Sequence, residues 1–195
     1  ILPHWTWPGR EGEVTPVFVY TNYPTAELFI NGKSYGKQSK NNSSLKSRYR
    51  LMWMDAIYEP GEVKVVAYDK DGKAVAEKSV RTAGKPHHIE LVSNRNELTA
   101  DGKDLAYVTV KVVDKDGNLC PADNRQINFS VKGTGKYRAA ANGDPTNLEQ
   151  FHLPKMHAFN GMLTAILQAG ETAGEIVFTA KANGVKAGNI RIQTK

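Results

Sequence analysis

The chain has 195 residues, 40% apolar and 24% charged, with a net charge of +6 from 26 Lys+Arg against 20 Asp+Glu. That length fits one large domain or two of roughly 100 residues, and the composition is that of a globular chain, not a disordered one. No apolar run approaches the ~20 residues of a membrane-crossing helix, the lone Cys120 excludes an intrachain disulfide, and no Cys/His cluster has zinc spacing.

Period-two alternation organises the chain. Val63, Val65 and Ala67 alternate with Lys64, Val66 and Tyr68; Val108, Val110 and Val112 with Thr109 and Lys111; Ile127, Phe129 and Val131 repeat the pattern, as do Ile176, Phe178 and Ala180. This is the signature of antiparallel strands with one face on a core. Six strands are expected at about 14–21, 26–31, 34–37, 49–54, 63–69 and 74–81. After the break at Ala83-Gly84-Lys85-Pro86, six more are expected at about 89–93, 106–114, 126–131, 161–168, 175–182 and 187–193. Asn31-Gly32, Asp71-Gly72, Asp116-Gly117 and Asn183-Gly184 mark strand reversals, because these pairs tolerate the positive φ of tight hairpins. The expected fold is therefore all-β, two tandem immunoglobulin-like β-sandwich domains at 1–84 and 85–195. Val65–Lys73 and Val110–Asn118 echo each other, each an apolar strand running into Asp-Lys-Asp-Gly.

The basic excess is mild in both halves: 13 basic against 9 acidic residues through Lys85, 13 against 11 beyond it. Its one concentration is Lys37, Lys40, Lys46, Arg48 and Arg50, around a polar stretch with only Tyr35 and Tyr49 nearby. A nucleic-acid groove needs clustered charge interleaved with stacking rings, so a solvated loop is the preferred reading and no nucleic-acid partner is expected. The Asp-x-Asp-Gly tips lack the remaining ligands of a calcium loop and read as turns. His87 and His88 would point to opposite faces of a strand, and His152 and His157 have no carboxylate at metal-site spacing, so no metal is expected. Asp55 with Glu59, and Asp101 with Asp104, are the closest approach to a glycosidase carboxylate pair, but both lie in loop contexts. Gly133-Thr134-Gly135 reads as a bulge or turn between strands. No catalytic constellation and no cofactor motif emerges.

Two segments stand out as candidate sites. His4, Trp5 and Trp7 crowd the first seven residues, and in an extended segment both indoles would face one way. Such rings can stack on sugars or pack on a neighbouring domain; the second is preferred in a chain that starts at Ile1 and reads as a piece of a longer one. Asn142 and Asp144 open a long loop running to Pro154, where they either contact a hydroxylated ligand or hold a turn, the turn being preferred.

Several stretches together resemble a known family. These are His4-Trp5-Thr6-Trp7-Pro8-Gly9-Arg10, Val17–Asn22, Glu27–Gly36, Tyr58–Glu62, Val65–Tyr68 and Thr82–Pro86, followed by Leu98–Leu105, Val112–Asp114 and Asn142–Pro145. In this order they are similar to the segment that follows the catalytic barrel in bacterial β-galactosidases of glycoside hydrolase family 2, and they cover almost the whole chain. Tyr35 departs from the Leu common in relatives, within an otherwise matching turn. The resemblance implies a non-catalytic C-terminal accessory region whose parent is a retaining glycosidase exported to the periplasm or cell surface. The barrel and other domains of the same chain would be its partners, and carbohydrate a further one. The two barrel glutamates of that family have no counterpart here, so the chain itself is expected to be inactive. A carbohydrate-binding module and an immunoglobulin-like adhesion or spacer segment stand as the alternatives.

Overall fold

A computed structural model describes residues 1–195. Every regular element is a β-strand, and the chain divides into two compact units, Ile1–Ala83 and Gly84–Lys195.

The first unit contains β1 (Val17–Val19), β2 (Thr25–Ile30), β3 (Lys33–Ser39), β4 (Leu51–Trp53), β5 (Glu62–Tyr68) and β6 (Ala74–Arg81). They form an antiparallel pair β1-β4 and a four-stranded antiparallel sheet in the order β3-β2-β5-β6. Alternation decides what goes inside: Val17, Val19, Leu51 and Trp53 from the small sheet join Ala26, Leu28, Ile30, Val63, Val65 and Ala67 from the larger one in a single core. The β2-β3 reversal is the Asn31-Gly32 turn, both residues at positive φ (49° and 82°), the geometry that matches strand twist. Asn31 does more than turn the chain, since its side chain accepts from Glu62 N–H and donates to the Pro60 carbonyl.

The second unit contains β7 (His88–Ser93), β8 (Glu97–Leu98), β9 (Leu105–Val113), β10 (Gln126–Gly133), β11 (Gly135–Ala141), β12 (Lys155–His157), β13 (Met162–Ala169), β14 (Gly174–Lys181) and β15 (Gly188–Thr194). One sheet runs β12-β10-β14-β15-β8, the other β11-β13-β9-β7, and only the β8-β15 pairing is parallel. Ile127, Phe129, Ile176, Phe178 and Ile192 of the first are buried, as are Val108, Val110, Val112, Leu163 and Leu167 of the second. Gly133-Thr134-Gly135 is where the chain leaves one sheet for the other. Gly133 has φ +92° and a Cβ on it would lie 1.9 Å from the Glu175 carbonyl oxygen, so this corner admits only glycine.

Three strands escape the alternation pattern. β11 carries the sequence GKYRAAA, whose small residues give weak strand signal, and its register with β13 shifts between Tyr137 and Ala139. β8 and β12 have only two and three residues, too few to show a period. The strand expected at 14–21 is also shorter in the ladder: Pro16 has no N–H to give, leaving Val17–Val19 paired with β4 and an isolated Val14–Ile57 bridge.

Candidate functional site

The aromatic cluster at the start of the chain is built into the first unit. Trp5 is 1% exposed, its Nε1–H donates to the Glu59 carbonyl at 2.8 Å, and its ring meets Tyr58 edge-on at 5.2 Å. Thr82 Oγ1–H donates to the Trp5 carbonyl, and Ala83 N–H donates to Thr6 Oγ1, so this segment fastens the far end of the same unit. The expectation of two indoles facing one way does not hold. The segment folds back at His4, whose carbonyl takes the Trp7 Nε1–H at 2.9 Å and whose Nδ1 takes the Thr6 N–H at 3.3 Å. Trp7, half-buried, stacks on His4 with ring centroids 4.0 Å apart, and Arg10 lies 5.7 Å from its centroid. Burial holds the His4 pKa below the ordinary imidazole value, which keeps Nδ1 an acceptor. Trp5 is thus neither a sugar platform nor a contact for another domain, because the core of its own unit consumes it. Trp7 and His4 keep partial exposure, but the indole N–H is already spent.

The second candidate is a self-contained turn. Asn142 Oδ1 accepts from Asp144 N–H at 3.0 Å while its Nδ2 donates to the His157 carbonyl. Asp144 Oδ1 accepts from both the hydroxyl and the N–H of Thr146, and those bonds hold its pKa low. Residues 142–154 form the expected long loop, capped where His157 bonds Glu149 through its backbone N–H and Nδ1, each at 3.0 Å. That partner, eight residues away, is the carboxylate that sequence spacing did not reveal.

Of the two carboxylate pairs singled out in the sequence, Asp101 and Asp104 are tied up locally. Asp101 accepts the N–H groups of Lys103 and Asp104, and Asp104 takes Arg95 Nη1 on both oxygens and Thr99 N–H. Those two carboxyls therefore stabilise a turn and do not face each other across a cleft. His87 and His88 differ from expectation: their Nδ1 atoms are 3.0 Å apart, because His87 precedes β7 and is not bound by strand alternation. Sequence reading also missed the buried Asp114, which accepts N–H bonds from Gly84, Asp116 and Asn118 and a further bond from the Asn118 amide. The Asp-Lys-Asp-Gly tip was its signal, and the Asp69 tip of the echo accepts only from Asp71 and Lys73.

Residues 89–191 match the family described as glycoside hydrolase family 2 C-terminal domain 5. The chain belongs to that family. Residues 12–76 match a second one, described as a domain of unknown function (DUF4982). This family 2 chain is 40% identical over its whole length to the β-galactosidase BoGH2A of Bacteroides ovatus, of which it spans 22%. It is 34% identical to a putative β-glucuronidase of Formosa agariphila over 74% of its own length and 14% of that protein. Its fold is similar to that of a β-glycosidase from Bacteroides vulgatus, with a TM-score of 0.89 and 31% identity over 98% of this chain and 24% of the other. It thus spans a quarter or less of each, and within family 2 it is an accessory, non-catalytic C-terminal region.

Proposed function

We propose that this chain forms two immunoglobulin-like modules that buttress the catalytic barrel of a larger glycoside hydrolase, carried elsewhere in the same polypeptide. The parent's reaction is hydrolysis of an O-glycosyl bond of β-galactoside type with retention, and its location is the periplasm or cell surface; both follow from the family resemblance. The observation that carries a non-catalytic role is the state of the carboxyls. A glycosidase needs one carboxyl with a raised pKa to protonate the leaving oxygen. Here every carboxyl displaced from its ordinary value is displaced downward. Glu27 is held low by the Ser34 hydroxyl, Asp101 by Lys103 N–H, Asp104 by Thr99 N–H and Asp144 by Thr146. At Asp114 and Asp123 burial pushes upward and is outweighed, by Gly84 and Asn118 in one case and Arg125 in the other. These groups are committed to turns and ion pairs, and none is prepared as a general acid.

The test compares the full-length parent, the same parent ending before Ile1, and the purified 195-residue chain, on aryl β-galactoside and aryl β-glucuronide substrates. The parent is expected to turn over one of them, the shortened parent to lose thermal stability, and the chain alone to release no aryl product. Turnover by the pure chain, abolished by a substitution within it, overturns the reading.

A further inference from the structure

Strand β1 breaks the rule that an antiparallel strand on one core has a polar outer side. Its inward residues, Val17 and Val19, are buried, yet the outward positions of the same segment are Val14, Phe18 and Tyr20. The neighbours on that outer side are also apolar. Phe18 is paired directly with Met52 on β4 and with Leu2, whose N–H and carbonyl both bond to Phe18 at 2.8 Å. Paired residues share a face, so Leu2, Phe18 and Met52 form one row. Around it, Tyr20 is 53% exposed, Met54 55%, Leu2 54% and Val14 51%. The outer side of the four-stranded sheet in the same unit mixes charge among its apolar residues: Glu27, Lys37, Lys64 and Glu62 lie there with Phe29, Val66 and Tyr68, engaged with Ser34, Tyr68, Phe29 and Arg81. On the β1-β4 face the Arg50 guanidinium lies 5.6 Å from the Phe18 ring centroid, and at the rim Arg10, paired with Glu13, bonds the Val14 carbonyl.

A contiguous apolar face of this kind on a folded unit marks an interaction surface. Its position says what covers it. Leu2 is itself part of the row, so the polypeptide that precedes Ile1 in a longer parent leaves the unit from the edge of this patch. The chain spans only 22% of its B. ovatus relative, and its family is that of a C-terminal domain, so most of such a parent lies on that upstream side. A body tethered a few residues from an apolar face meets it at high effective concentration, and a modest complementary surface suffices to hold it. We infer that the outer face of β1-β4, centred on Phe18 and Met52, is the docking surface for the upstream part of the same parent chain, which presents an apolar patch with a carboxylate opposite Arg50. The inference rests on the accessory reading above.

The test is hydroxyl-radical footprinting of the full-length parent read by mass spectrometry, each residue's rate being compared with its own rate in the urea-unfolded chain. Tyr49 serves as the internal reference, being 66% exposed in the same unit but on the 40–50 loop. Tyr20 and Met54 are expected to be protected at least about fivefold more than Tyr49, since an interface core excludes water. Met54→Lys in the full-length parent, which places an unpaired charge in the interface, is expected to bring Tyr20 labelling up to the Tyr49 level. Equal labelling of Tyr20, Met54 and Tyr49 overturns the proposal, as does protection that persists in Met54→Lys. Protection that disappears when the parent is diluted to a monomer also overturns it, assigning the face to a second copy. The same preparation is assayed for glycoside hydrolysis: an active parent with unprotected Tyr20 refutes the docking surface alone, whereas an inactive parent refutes the accessory reading.

Discussion

Asp114 is the residue at which burial, hydrogen bonding and pH combine to make a number. It is 3% exposed, and it accepts N–H bonds from Gly84 at 2.8 Å, Asp116 at 2.9 Å and Asn118 at 2.8 Å. Burial alone would raise its pKa, but these donors outweigh it and bring the value from 3.8 down to about 2. Such a shift corresponds to about 2.5 kcal/mol favouring the ionised folded state, reduced to about 1–2 kcal/mol by water near a surface turn. The folded pKa lies below the unfolded one, so this stabilisation is fully present above pH 4–5 and is lost as pH falls through 3.8 towards 2. Asp114→Asn has no charge to titrate, and it also turns an amide N–H towards a backbone donor, a penalty independent of pH. The stability gap between wild type and variant should therefore be largest at pH 6–7 and narrow by about 1–2 kcal/mol at pH 2. The second unit supplies its own reporter, because Cys120 is the only cysteine and is buried, with its thiol pKa pushed up to about 11 by that burial. Urea unfolding is followed by Cys120 labelling with a pyridyl disulfide, which reacts with thiols in acid. A gap that stays constant from pH 7 to pH 2 would show that the charge on Asp114 contributes nothing, and the argument would fail.

Four further outcomes are expected. Trp5→Ala removes a fully buried indole and should destabilise the first unit by about 3–5 kcal/mol; fluorescence of Trp7 and Trp53 reads that loss, and Cys120 labelling should not move with it. Gly133→Ala drives a methyl group to 1.9 Å from the Glu175 oxygen, so it should cost more than about 2 kcal/mol in urea unfolding of the second unit. Gly117→Ala, at a similar positive φ but with open space around it, should cost only about 1 kcal/mol in the same measurement. Asn142→Ala and Asp144→Ala each remove turn bonds, with a loss of about 0.5–1.5 kcal/mol and no change in the parent's kcat/KM; a tenfold fall in kcat/KM at unchanged stability would instead make that loop part of substrate access.

The fold was legible where alternation was long. β5, β9, β13 and β14 each bury every second residue over seven to nine positions, and their expected ranges lie within one or two residues of the observed ones. Where pairing depends on a partner and not on local pattern, the sequence is silent. β8 exists because β15 runs alongside it in parallel, and β11 is held by six paired residues of ladder to β13 despite an alanine run. The Asx turns at Asp69 and Asp114 read the same in sequence, but only Asp114 is buried and reaches back to Gly84 N–H, a contact 30 residues away that no local signal encodes.

The candidate site was legible in a different way. Aromatic residues in a short stretch drew attention to Trp5 and Trp7, yet aromaticity does not say which ring is core and which is surface; Tyr58 and Glu59, more than 50 residues on, decide that by enclosing Trp5. The more telling signal lay in the next strand. In Val14-Thr15-Pro16-Val17-Phe18-Val19-Tyr20, Thr15, Val17 and Val19 turn inward, and the alternate set Val14, Pro16, Phe18 and Tyr20 has no charged member. A strand apolar on both sides belongs between two packed layers, and this unit supplies only one. Its own core closes over Val17 and Val19 with Trp53 and Leu51, which leaves Phe18 facing outward, half-buried between Leu2, Met52 and Arg50 and rimmed by the exposed Tyr20, Met54 and Val14. Stability of the unit alone does not require that second apolar face, and solubility disfavours it. Its presence is explained by a second layer contributed from elsewhere in the parent, and the footprint of Tyr20 against Tyr49 decides whether that layer is there.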